Sequence, residues 1–142
     1  MAVPFSPDTV QSLAEQIDAQ VSSLTVTRGS SVQRSLESPD GSTLAKQAAE
    51  IERITQEKPV RFLKKFRKAA KQDICEEGGI LHAQWEKWKD LASEDVVKSF
   101  GPYLVAMGFT GVLLESLVVA MGVTVIHIGL KAFCEEFGED AA

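Results

Sequence analysis

The sequence predicts an all-α protein: amphipathic helices that form an N-terminal bundle, followed by a long hydrophobic C-terminal helix or helical hairpin. Three observations carry this expectation. Apolar residues recur at helical spacing through the first ninety residues. Helix starts and stops punctuate the same stretch, at Ser6-Pro7-Asp8, Pro59, Gly78-Gly79 and Ser93-Glu94-Asp95. Residues 103–130 are apolar almost without interruption.

The first helix is expected over 7–22. Ser6 supplies a capping hydroxyl, Pro7 fits the first turn, and Val10, Leu13, Ile17 and Val21 share one face. Residues 25–41 are rich in serine and contain a Pro39-Asp40-Gly41 turn, which predicts a loop. A second helix over 42–57 follows from Leu44, Ala48, Ile51 and Ile54, and Pro59 ends it. Pro59 also opens a basic helix over 59–75, which the Gly78-Gly79 pair terminates as a C-cap or hinge. A short helix over 80–92 carries Trp85 and Trp88 three residues apart. Ser93 is the expected cap of the next helix, and Gly101-Pro102 is expected to break the chain before the apolar segment.

The chain thus divides into polar helices over 1–57, basic and tryptophan-containing helices over 58–100, a hydrophobic, membrane-embedded segment over 101–133 and an acidic tail over 134–142. A net charge of −5 conceals this segregation, since residues 58–71 alone hold seven Lys or Arg.

Within 103–130 the one formal charge is Glu115. A helix with no polar stripe belongs in a bilayer or in a protein core. Twenty-eight helical residues would reach about 42 Å, against a hydrocarbon core of about 30 Å. A tilted span, a helix broken near Gly122 and a buried hairpin are the three solutions. Gly101, Gly108, Gly122 and Gly129 recur every seven residues, with Gly111 nearby, and Glu115 occupies the vacant place in that series. Such a stripe predicts close helix–helix packing and self-association, with Glu115 as a lumen-facing or buried acid.

Residues 61–71, RFLKKFRKAAK, combine Arg61, Lys64, Lys65, Arg67, Lys68 and Lys71 with an apolar face. Together with Trp85 and Trp88 they predict binding to an anionic membrane surface. Nucleic acid ranks below lipid as a partner, because no recognition motif accompanies the charge. Cys75 and Cys134 are read as two free thiols in a reducing compartment. No secretory signal is expected in MAVPFSPDTV, and the basic side is expected to remain cytoplasmic. No motif for a metal, a cofactor or catalysis is present, which argues against an enzyme.

The leading expectation is a small membrane protein that inserts and self-associates as a homo-oligomer through its glycine-rich helix, with a pore as the bolder form. Its N-terminal helices would be free to dock a protein partner. The alternative is a soluble cytoplasmic interaction protein with 103–130 as a core hairpin.

Overall fold

The computed structural model describes residues 5–23, 45–76, 79–88 and 92–136, and every regular element among them is a helix. These are α1 (Pro7–Ser23), α2 (Ala45–Thr55), α3 (Pro59–Ala69), α4 (Lys71–Ile74), α5 (Ile80–Trp88), α6 (Ser93–Ala106), α7 (Gly111–Ile128) and α8 (Leu130–Glu136). The expected serine-rich loop at 25–41, the start of the second helix at 42 and most of the acidic tail lie outside the described residues.

The expected caps are partly realised. Thr9 N–H donates to Ser6 Oγ at 3.2 Å, so Ser6 starts α1 as anticipated. Ser93, expected to cap α6, is instead its first helical residue, and its hydroxyl bonds Asp18 of α1. The Gln84 side chain takes over the start of α6. Its Oε1 accepts the Ala92 N–H at 3.3 Å, and its Nε2 donates to Asp95. The basic helix breaks once, at Ala70, into α3 and α4.

The apolar segment is a hairpin. Gly101 and Pro102 do not break the chain: both are buried inside α6, which runs on to Ala106. Phe100 and Leu104 are fully buried on either side of the proline, and their packing outweighs the hydrogen bond that it lacks. The chain reverses instead at 107–110, and the helix that follows runs unbroken through Gly122, where a break was one of the expected solutions. Gly108 adopts φ +106°, its N–H bonds Val105 O at 2.9 Å, and the Phe109 N–H bonds Leu104 O at 3.1 Å. This is a Schellman ending, which needs a left-handed residue, and glycine takes that conformation without strain. α7 follows, and Gly129 at φ +98° separates it from α8.

α7 is the axis of the fold. It packs against α1, α2, α6 and α8. Every residue from Leu117 to His127 is buried. α1 contributes Val10, Leu13 and Ile17 to this core, α2 Ile51 and Ile54, and α6 Val96, Val97 and Phe100. α3 lies against α2 and α6, and its Phe62, Leu63 and Phe66 are buried.

The two cysteines are not free thiols. Cys75 and Cys134 are bonded to each other, with Cα atoms 5.8 Å apart across a sequence separation of 59. The bond joins the end of α4 to α8. Pairing over such a span depends on how the helices fold back, which spacing alone does not encode.

Candidate functional site

Two features read from the sequence, the basic helix and the apolar segment, become neighbours in the structure. α3 crosses α6 through a ladder of rings: Phe66 meets Phe100 at 4.7 Å and Tyr103 at 6.4 Å, and Phe62 meets Phe109 at 5.9 Å. The edge-to-face geometry suits aromatic pairs and fixes the helix against its neighbour. Since Phe109 belongs to the α6–α7 turn, the start of the basic helix lies beside the tip of the apolar hairpin.

The tip itself is exposed. Val112 is 76% exposed, Leu113 47% and Val105 39%, and these are the large apolar side chains most open to water among the described residues. Met107 and Phe109 are half-buried between them. No charge occurs from residue 99 to residue 114. The sequence did not single these residues out, because Val112 and Leu113 look no different from the buried Val118 and Leu117. The signal present was the pair of glycines, Gly108 and Gly111, bracketing Phe109-Thr110.

The cations of α3, and Lys71 at the start of α4, sort by partner. Arg61 and Lys65 both reach Glu57, at 3.8 and 2.8 Å, and Lys71 reaches Glu76 at 3.4 Å. Lys64 and Lys68 are exposed with no ion-pair partner among the described residues. Arg67 is half-buried, and its Nε lacks a hydrogen-bond partner among those residues. Residues 57–71 therefore hold seven cations against a single acid, Glu57. Trp85 is half-buried against the α7–α8 junction, where a Cβ on Gly129 would come 3.0 Å from its ring. Trp88 closes α5, and its side chain lies outside the described residues.

The glycines do not share one face of one helix. Gly101 lies inside α6, Gly108 and Gly111 form the turn, and Gly129 ends α7. Gly122 sits in the middle of α7, and it faces inward. A Cβ there would meet Ile17 Cδ1 at 2.6 Å and Val96 Cγ1 at 3.4 Å. Glu115 is half-buried in the second turn of α7, about 6 Å from the helix start at 1.5 Å per residue. The turn at 107–110 moves it from the middle of the apolar segment to near one end.

α4 is held to α6 by Asp73, which accepts the Tyr103 hydroxyl at 2.9 Å and Ser99 Oγ at 3.4 Å. Burial raises the Tyr103 pKa above 10.0, and the hydrogen bond to Asp73 and that residue's charge push the same way. An unfolded tyrosine ionises near 10, whereas the folded one keeps its proton to higher pH. The native state thus holds more protons just above pH 10, so stability falls as pH rises through that window. Tyr103→Phe should remove this alkaline slope and cost about 1.5 kcal/mol at neutral pH, both readable in urea melts across pH.

Among the described residues no group of three His, Cys, Asp or Glu side chains is placed to hold a metal ion. α7 is the one helix among them long and apolar enough to cross a membrane, with a mean hydropathy of 2.0, yet 67% of it is buried inside the fold. No family model matches the chain, and neither a curated protein nor a solved structure is detectably similar to it.

Proposed function

We propose that this chain is a membrane-associating helical protein that stores its most apolar helix in the centre of a folded bundle. The observation that supports this reading is the double character of α7: long and apolar enough to span a bilayer, yet wrapped by α1, α2, α6 and α8. Its partner is an anionic membrane, favoured over nucleic acid because the cations of α3 lie beside apolar residues rather than a base-reading element. Insertion and self-association belong to a released state, in which withdrawal of α1 would expose Gly122 for helix–helix contact. A pore with Glu115 at its lumen would belong to that state as well. The Cys75–Cys134 bond favours an oxidising environment over the cytoplasm. No catalytic role is proposed.

A second reading, a soluble interaction protein with α7 as ordinary core, is favoured by the burial of α7 alone. Vesicle flotation separates the two. The purified full chain should elute as one species without detergent, then float with phosphatidylserine-containing vesicles. A soluble chain that never floats supports the second reading. A chain that needs detergent would mean that α7 is not stored in the bundle.

A further inference from the structure

Resting on the membrane-association reading, we propose that the α6–α7 tip is the surface that meets the bilayer, with anionic lipid headgroups as its partner. In this arrangement Val105, Val112 and Leu113 enter the interface and the cations of α3 hold the phosphate layer beside them.

Three observations converge on this surface. The large exposed apolar side chains among the described residues all fall on this one turn rather than being scattered. The Phe62–Phe109 contact places next to it the start of α3, which holds five cations and no acid. The tip and its approaches, residues 99–114, contain no charge to oppose an anionic surface. The nearest acid on α7 is Glu115, one turn inward and half-buried.

Size argues against a protein occupant. A stable protein interface takes about 800 Å² and some 20–30 residues from each side. The tip offers the nine residues from Val105 to Leu113. Lipid asks for no matching shape, and a few apolar side chains together with adjacent cations suffice for reversible interfacial binding. The arrangement also divides the labour: apolar burial at the tip gives depth, while Lys64 and Lys68, which have no ion-pair partner among the described residues, give the preference for anionic headgroups.

The test is co-sedimentation of the full chain with vesicles of phosphatidylcholine alone and with phosphatidylserine in equal parts. The wild type should bind the mixed vesicles and not the neutral ones. The double variant Val112→Asp/Leu113→Asp alters exposed side chains only, so circular dichroism should be unchanged while partitioning falls about tenfold or more. Lys64→Gln/Lys68→Gln should lower it about thirtyfold at low salt, and less as salt is added. Val112→Trp should show a blue-shifted emission on binding. Wild-type binding that the tip variants leave intact overturns the assignment of this surface but keeps the membrane reading. No wild-type binding under any condition removes both. A self-associated chain that Val112→Asp/Leu113→Asp renders monomeric, without effect on lipid, would make the tip a contact between copies and overturn the proposal.

Discussion

Replacing Cys75 and Cys134 by alanine should lower the unfolding free energy by about 4 kcal/mol, the loop-closure entropy expected for a cross-link of this span. For a chain of this size that is roughly 10 °C in melting temperature. The bond encloses α5, α6 and α7, so its loss returns to the unfolded chain the freedom of the whole central portion. The native contacts should change less, because Ile74 and Phe133, which flank the two cysteines, are fully buried in the surrounding core. The bond lines a cleft of about 370 Å³ shared with His82, Trp85, Glu86 and Glu135, which gives a small thiol reductant a route to it. Urea melts of the oxidised protein, the reduced protein and the double alanine variant are the check. The last two should agree with each other and fall below the first. A difference under about 1 kcal/mol would show that the bond contributes little to closing the fold.

Gly122→Leu should cost about 3 kcal/mol, the upper part of the range for overpacked cores. Ile17 and Val96, the two side chains that a Cβ would meet, are both fully buried and belong to different helices, α1 and α6. A leucine has nowhere to go except by lifting α1 from α7. Gly122→Ala is the informative companion. Its single methyl confronts Ile17 Cδ1, the mobile end of a side chain, and alanine adds helix propensity worth about 0.8–1 kcal/mol. The alanine variant should therefore be near neutral. Hydrogen exchange in the leucine variant should quicken first in α1. If Gly122 instead serves an outward contact between copies in the resting protein, Gly122→Leu will leave the melt unchanged and alter only the oligomeric state.

The helices were legible because their apolar faces are periodic. Val10, Leu13 and Ile17 in α1, and Phe62, Leu63 and Phe66 in α3, are buried as their spacing requires. The turn within the apolar segment was hard to read, since Met107-Gly108-Phe109-Thr110-Gly111 holds glycines but none of the Pro, Asn, Asp or Ser that usually accompany them in a turn. Gly108 also falls on a seven-residue repeat, which favours a continuous helix on paper. Gly101-Pro102 pointed to the wrong place because tertiary packing carried α6 through the proline. α7 posed a choice that sequence could not make: a helix apolar all round fits a bilayer or a core equally, and only the presence of α1, α2, α6 and α8 around it decides its place in the fold. Of the candidate site, the cations of α3 were visible in sequence, whereas the exposure of Val105, Val112 and Leu113 depends on which neighbours the fold supplies.

The Cys75–Cys134 bond also sets a rule of topology. Residues 75–134 form a covalent ring, and a ring pierces a sheet as many times outward as inward. While the bond is closed, Cys75 and Cys134 stay on the same side of any bilayer. An upright α7 with the basic helix on one side and the tail on the other is thereby excluded. If α7 enters, a return limb must enter with it, and its hairpin partner is α6. With 14 residues in α6, that limb reaches about 21 Å, short of the roughly 30 Å of hydrocarbon. On the membrane-association reading proposed above, the oxidised chain would be restricted to a shallow, re-entrant excursion led by the tip, and through-passage of α7 would first require the ring to be cut.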